Sequence, residues 1–318
     1  MTSQPDAPPL VVAVILTWND LDMTSRCIDS LHETAYPRTQ IVVVDNGTVP
    51  PSCPVLKERY PDIEPVQLDR NTGFTGGCNR GLERAMELGA DYILLLNNDT
   101  IVHPDAIGHV VEEMEARPDV GMASALVLLP GDDRIVQFHQ GVIDRDVARH
   151  MHPGEAVPVS EAHRATVEVE FAPACSVFFR PAALQEVGLF DESLFTNWED
   201  YDLCCRMVDA GWKIITVGRA EVIHAHGQTT GRASPFITYY FNRNRMICLF
   251  RYGRPSQILL RSPHILRTFY WQLRGQGLSN WPAHRAMAKG LLHFALGVRG
   301  EGNAPKQRRD RVVRQETS

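Results

Sequence analysis

LVVAVILTW (10–18) sets the reading of this 318-residue chain. It is an unbroken apolar, β-branched run without polar alternation, the pattern of a strand buried on both faces of a parallel sheet. Asn19-Asp20 follows as a helix start, and that helix is predicted to run to about His32. The unit then repeats. IVVVDNG (41–47) reads as a second strand closing on a turn, VQL (66–68) as a weaker third and YILLLNND (92–99) as a fourth. Helices are predicted at 75–88, ended by Gly89, and from Pro104 to about Ala116. Strand and helix alternating in this order imply an α/β fold, doubly wound on a mostly parallel sheet flanked by helices.

Beyond this unit the signals thin out. Residues 130–170 are rich in Gly, Pro, His and acids and read as loops with an edge hairpin made of VIDRDV (142–147) and TVEVEF (166–171). CSVFFR (175–180) is a strand, Pro181 to Val187 a helix, and Tyr201 to Ala210 a second helix ended by Gly211. WKIITV (212–217) and AEVIHAH (220–226) read as the last two strands. After about Phe236 the sequence is Arg- and Tyr-rich and then helical to about Val298, and the final charged residues read as disordered.

The chain is 44% hydrophobic, enough for a sizeable core, and its formal charge of −6 gives no reason to expect nucleic acid as a partner. That total conceals a split. Residues 239–318 hold 15 basic and 3 acidic residues, a net +12, which leaves 17 basic and 35 acidic, a net −18, for residues 1–238. The seven cysteines are odd in number and scattered, with no C-x-x-C pair, so neither a disulfide framework nor a zinc ribbon is expected and a reducing cytoplasm fits. No apolar stretch reaches about 18 residues, as a membrane span requires.

In open α/β sheets ligands bind outside the carboxyl ends of the strands. The residues there are Thr17-Trp18-Asn19, Asp45-Asn46-Gly47, Asn71-Thr72-Gly73 and Asn97-Asn98-Asp99. A carboxylate at such an end, Asp45 or Asp99, can accept from a base or sugar or ligate a hard cation, although Asp and Asn also simply open turns. In NTGFTGGCNRG (71–81) glycines open a helix whose free N–H groups suit an anion, but the spacing of Gly73, Gly76, Gly77 and Gly81 matches neither a dinucleotide fingerprint nor a P-loop. NWEDYDLCCR (197–206) carries three carboxylates on the first turn of a helix. Asp202 and Arg206 read as a structural i, i+4 pair, and Asp200 as an available base. His224 and His226 lie two apart on a strand with no third nitrogen or sulfur ligand, so zinc is not expected; one His can instead complete a Mg²⁺ or Mn²⁺ site begun by Asp99.

Together, T-W-N, VVVDNG, N-T-G-F-T-G-G-C-N-R-G, L-L-N-N-D, W-E-D-Y-D-L-C-C-R and H-x-x-G-x-T resemble, in order and spacing, the family 2 glycosyltransferases of the GT-A fold, especially their rhamnosyltransferase-like branch. The resemblance covers about residues 10–252. It implies an inverting transferase that uses a nucleotide-diphosphate sugar, dTDP- or UDP-linked with dTDP-rhamnose as a candidate, and a divalent cation, Mg²⁺ or Mn²⁺. By the same resemblance Thr17, Trp18, Asn19 and Asp45 would hold the nucleoside, Trp18 stacking on the base and Asp45 accepting from a pyrimidine N–H. Asn71, Gly76, Gly77, Asn79, Asn98 and Asp99 would line the nucleotide and sugar. Asp99 and His224 would hold the metal, with Asn97-Asn98-Asp99 offering one carboxylate where the family motif has two. Asp200 would be the catalytic base, and Trp198, Glu199 and His226 would lie on the acceptor side.

The expected organisation is a flexible start (1–9), a GT-A domain (10–236) with a nucleotide-binding half (10–128) and an acceptor-side half (129–236), a basic helical region (237–300) and a disordered tail (301–318). The acceptor is open between a glycan, a lipid-linked saccharide and a small molecule. The basic helices suit the inner face of a membrane, and equally a homodimer interface or packing on the catalytic domain. A sugar nucleotidyltransferase would want a basic Gly-rich loop after the first strand, where this chain has T-W-N-D; a noncatalytic sugar-nucleotide-binding module would not need W-E-D.

Overall fold

The computed structural model of the chain describes residues 7–225, 234–275, 277, 280–302 and 304–305. The N-terminal half alternates as expected: β1 (Val11–Thr17), α1 (Leu21–His32), β2 (Thr39–Asp45), α2 (Cys53–Arg59), β3 (Glu64–Gln67), α3 (Gly73–Glu87) and β4 (Tyr92–Asn97). Side chains alternate across β1 and both faces are covered. Val12 and Val14 share a core with Leu82 and Ala85 of α3, while Val11, Ala13 and Ile15 share one with Cys27, Ile28 and Leu31 of α1. Hence the run is apolar at every position. Asp20 starts α1 by accepting the Met23 amide at 3.1 Å.

A short β5 (Thr100–Val102), α4 (Ala106–Ala116) and β6 (Val120–Leu128) follow. β6 is buried throughout, yet its sequence, VGMASALVL, carries no strand signal, because Gly, Ala and Ser dilute the β-branched pattern. Small residues are required there: a Cβ on Gly121 would lie 2.8 Å from the Ala183 Cβ and 3.0 Å from that of Trp212. The chain continues through β7 (Val136–Phe138), β8 (Val142–Asp144), β9 (Arg149–Met151), β10 (Thr166–Val169), β11 (Ser176–Phe179), α5 (Pro181–Val187), α6 (Glu199–Asp209) and β12 (Lys213–His224). The main sheet is ordered β10-β12-β6-β11-β4-β1-β2-β3, with β5 on β12 and β7 on β6. β3, β2, β1 and β4 run parallel, and β11 lies antiparallel between β4 and β6, so the sheet is mixed but mostly parallel.

Two expectations are corrected. VIDRDV and TVEVEF do not form a hairpin: β8 pairs with β9 across a turn containing left-handed Ala148 (φ 44°), and β10 joins the main sheet against β12. The two strands expected at 212–217 and 220–226 are one, β12. Its register slips between Val217 and Glu221, where Gly218 passes too close to the carbonyls of His163 and Ala165 for any side chain.

The described remainder is helical: α7 (Pro235–Tyr252), α8 (Pro255–Leu260), α9 (Ser262–Gly275) and α10 (Trp281–Ala295). Part of the basic charge here is buried or paired with carboxylates of the body. Arg243 is fully buried, and Arg251 pairs with Asp202 and Asp191, Arg254 with Asp146 and Arg261 with Asp144. Part of the charge split is thus closed within the molecule. All seven cysteines are buried, unpaired thiols. The start (1–6) and most of the charged tail (306–318) lie outside the described residues.

Candidate active site

Strand register brings the short motifs to one edge. Thr17 is level with Asp45 across β1 and β2, and Leu16 with Asn97 across β1 and β4. The turn after β4 then carries Asn98 and Asp99. Thr17 and Thr24 hydroxyls meet at 2.6 Å, and Asn98 Nδ2 donates to the Thr24 hydroxyl at 3.2 Å, tying β1, α1 and the β4 turn together. Asn46 does the same for the glycine-rich segment. Its Oδ1 accepts from the Thr72 amide (2.9 Å) and its Nδ2 donates to the Gly73 carbonyl (2.9 Å), while Asn71 Oδ1 accepts the Gly73 amide (2.8 Å). Gly73 has φ +81°, and the Phe195 carbonyl and ring occupy the space a Cβ would need.

A cleft of about 920 Å³ opens along this edge, within the range of ligand sites. Thr17, Trp18, Asn71, Asn98, Asp99, Trp198, Glu199, Asp200 and His224 all line it. Other expected residues do not line it: Asp45, Gly76, Gly77 and Asn79 are buried behind its walls, and Asn19 is exposed. Asp45 is fully buried and accepts from the Thr48 amide (2.8 Å), the Ser52 amide (2.7 Å) and the Ser52 hydroxyl (2.6 Å), folding the loop into α2. Burial alone would raise its carboxyl, but the hydrogen bonds from Ser52 and Thr48 outweigh that and hold it below the usual carboxylate range. Asn19, left-handed at φ 59°, donates its amide to the Thr48 hydroxyl at 3.0 Å. Gly76 and Gly77 let α3 approach its surroundings: a Cβ on Gly77 would lie 2.5 Å from Leu16 Cδ1 and 3.1 Å from Asn46 Nδ2. Asn79 clips α3 to the 190–192 loop through both Phe190 backbone groups, at 2.9 and 3.0 Å. His226 lies outside the described residues.

Pairing of β12 with β5 sets His224 opposite Thr100 and so beside Asp99. His224 Nε2 is 3.2 Å from Asp99 Oδ1, and its Nδ1 is 3.0 Å from Gln137 Nε2. Burial would lower this imidazole, but Cys175 and Asp99 beside it prevail and raise it to about 10. The spacing would admit a divalent cation, since two ligand atoms at about 2.1 Å from a hard ion and at right angles are about 3 Å apart, but Nε2 would bind it only by giving up the proton that Asp99 stabilises. No group of three His, Cys, Asp or Glu side chains fit to hold a metal occurs among the described residues. Any cation here would need further ligands from solvent or from a bound diphosphate.

Another wall of the cleft is built on a strained loop. Phe195, Asn197 and Trp198 are all left-handed (φ 66°, 64° and 75°), and Trp198 leads directly into α6. The loop is held by α7. Asn244 Nδ2 donates to the carbonyls of Leu194 (2.8 Å), Thr196 (2.7 Å) and Asn197 (2.8 Å), and Arg243 Nη2 to that of Leu194 (2.9 Å). Asp202 accepts from Arg206 (3.0 Å), Arg251 (2.5 Å) and the Tyr252 hydroxyl (2.6 Å), so the structural pairing with Arg206 is present and wider than expected. Asp200 differs. It accepts the Tyr201 amide at 2.8 Å and is also met by the backbone N–H groups of Asp200 and Ala174, with no cation paired to it among the described residues. Burial raises its carboxyl to about 6 against the opposing pull of backbone N–H groups and His152. Glu199 is pushed well above the usual range, by burial first and the Asp200 charge second, and its Oε2 is buried without a hydrogen-bond partner. Two adjacent buried carboxyls are therefore both pushed upward, and each charge disfavours the other.

Sequence reading missed two histidines. His150 and His152 line the cleft, with His150 Nδ1 2.8 Å from His152 Nε2 and the His150 ring stacked on Phe171 at 4.5 Å. Burial pushes both down, His150 to about 4. The available signal was the i, i+2 spacing in Arg149-His-Met-His152, which turns both rings to one side of a strand.

The sequence model of the family described as glycosyltransferase like family 2 matches residues 8–247. Among curated relatives, an N-acetylglucosaminyl-diphospho-decaprenol L-rhamnosyltransferase of Mycobacterium tuberculosis is 23% identical over 69% of this chain and 77% of its own. The dTDP-rhamnosyl transferase RfbF of Shigella flexneri is 25% identical over 79% and 83%. Among solved structures, TarS (residues 1–349) of S. aureus aligns with a TM-score of 0.56 and 14% identity, covering 91% of this chain and 81% of that one. GalNAc-T7, crystallised with UDP, GalNAc and Mn²⁺, gives 0.59 and 14%; this chain spans 77% of its own length and about half (48%) of that chain. At these identities the structural matches speak for a common fold.

Proposed function

Because the chain belongs to glycosyltransferase family 2, in its rhamnosyltransferase-like branch, we propose that it transfers a sugar from a dTDP- or UDP-linked donor to an acceptor hydroxyl with inversion at the anomeric carbon. The observation that carries this reading is the opening of Asp200, poised at about 6, onto the same cleft as the Asp99 and His224 pair. Above that pH Asp200 is ionised and takes the proton from the acceptor hydroxyl as its oxygen bonds to the anomeric carbon. Burial pushes the Glu199 carboxyl upward, which limits the second charge beside Asp200. Trp198, at the turn into α6, shapes the acceptor wall.

On the donor side Trp18 stacks on the base, and Thr17, Asn71 and Asn98 contact the nucleotide and sugar. Asn19, Asp45, Gly76, Gly77 and Asn79 act by shaping the loops and helix behind that wall. Asp99 and His224 would hold Mg²⁺ or Mn²⁺, which supplies positive charge to the leaving diphosphate. The relatives' names support dTDP-rhamnose as the donor and a lipid-linked saccharide as the acceptor.

The test is release of free nucleotide diphosphate from a panel of UDP-, dTDP- and GDP-sugars with and without Mn²⁺. Cation-dependent turnover of a pyrimidine-linked sugar is expected; no turnover of any donor, or release of pyrophosphate from a triphosphate, overturns the reading.

A further inference from the structure

Between Glu221 and Glu301 the sequence has no Asp or Glu, so every cation in the terminal helices must find its counter-charge elsewhere. Arg243 and Arg245 of α7 are buried against backbone carbonyls, while Arg251, Arg254 and Arg261 find it on the body and reach Asp202, Asp146 and Asp144. Arg267, Arg274, Arg285 and Arg299 on α9 and around α10 do not. They are exposed and have no carboxylate partner among the described residues.

These cations alternate with apolar side chains that also face outward. On α9, Leu266 and Tyr270 stand four apart, as do Arg267 and Trp271, while Ile265 and Phe269 turn inward. On α10 one exposed stripe runs Trp281, Arg285, Leu292 and Leu296, ending beside Arg299; the opposite stripe, Ala283, Ala286, Met287 and Gly290, is buried. Every large aromatic residue exposed among the described residues, Phe250, Tyr270, Trp271 and Trp281, lies in this region, with Trp281 at 70% and Leu259 of α8 at 77%. Scattered exposed apolar residues need no explanation, but aromatic, leucine and arginine side chains interleaved on one helical stripe do.

We propose that the outer faces of α9 and α10 dock on an anionic lipid bilayer, lying in its interface. Trp and Tyr favour the headgroup level, Leu enters the acyl boundary and Arg meets the lipid phosphates. Crossing is excluded by length, since α9 has 14 residues and α10 has 15 where a span takes about 20. Charge separates the bilayer from the other occupants. A second copy related by a twofold axis would set arginine against arginine. The chain's own terminal segment carries Lys306, Arg308, Arg309, Arg311 and Arg314 against Asp310 and Glu316, and so repels this face. The docking rests on this surface alone and holds whatever sugar the cleft transfers.

The experiment is co-sedimentation of the full chain with vesicles of phosphatidylcholine alone and with added phosphatidylglycerol, at low and high salt. Binding that requires phosphatidylglycerol and weakens with salt is expected. Two variants keep the test independent of folding: Arg267→Glu with Arg274→Glu, and Trp271→Ala with Trp281→Ala, each checked for unchanged melting temperature. The charge reversal should weaken vesicle binding more than about tenfold, at roughly fivefold for each cation removed. The aromatic pair should weaken it at every salt concentration. Equal binding to both vesicle types, no binding to either, or a dimer in sedimentation equilibrium that the same variants dissociate would overturn the proposal.

Discussion

The edge at the carboxyl ends of β1, β2 and β4 and the loop that delivers Asp200 line one cleft, but they are held in opposite ways. The edge is supported by neighbours in sequence or in the same parallel unit: Asp45 by Thr48 and Ser52, Asn71 by Gly73, Thr17 by Thr24. The acid loop is held from about fifty residues downstream, by Asn244 and Arg243 of α7. Local support makes a wall that survives changes elsewhere. Remote support makes the position of Asp200 depend on how one helix is seated.

The sharpest challenge to this contrast is Asp200→Asn. It should lower turnover by about 10²- to 10⁴-fold while donor affinity, read by calorimetry, stays nearly unchanged. An active variant would remove the base from this loop altogether. Asn244→Ala touches no ligand in the proposed reaction, yet it takes the side-chain amide from the carbonyls of Thr196 and Asn197, beside left-handed residues, while that of Leu194 keeps Arg243. Turnover should fall by about 10²-fold through misplacement of Asp200, with a stability loss of about 1–3 kcal/mol in chemical denaturation; wild-type turnover would show that the loop holds itself. On the other wall, Asp99→Ala should weaken Mn²⁺-dependent donor binding at least about tenfold and leave binding without the ion unaffected. Equal loss with and without Mn²⁺ would mean that Asp99 serves the fold.

The smallest effect concerns pH. A base whose pKa is raised to about 6 must be ionised to act, so turnover should fall as pH drops through about 6. His152 pulls the Asp200 carboxyl downward, so His152→Ala should move this acid limb to higher pH with little change on the alkaline plateau. An unmoved limb would separate the histidine pair from the base.

The same contrast explains what could be read in advance. Strands β1, β2 and β4 announce themselves because burial on both faces demands apolar residues at every position, and the polar residue ending each marks the cleft edge. β6 is as central but hidden, since Gly121 has to clear Ala183 and Trp212 and small residues carry no strand signal. Asp99 and Asp200 were legible from their short motifs. Asn244, Arg243, His150 and His152 were not, because their partners are backbone carbonyls, ring faces and loops whose proximity only the folded topology creates. The basic C-terminal region was legible as a charge excess, but which cations turn inward depends on where Asp144, Asp146 and Asp202 lie in space.

The threefold grip on Asp202 decides where this chain can be cut. Ending it after β12 would take Arg251 and the Tyr252 hydroxyl from the carboxylate and leave it Arg206 among its described side-chain partners. The last strand closes the sheet, but the smallest separable unit includes α7. Any chimera that exchanges the terminal helices keeps this grip on α6 only if the splice falls beyond Tyr252.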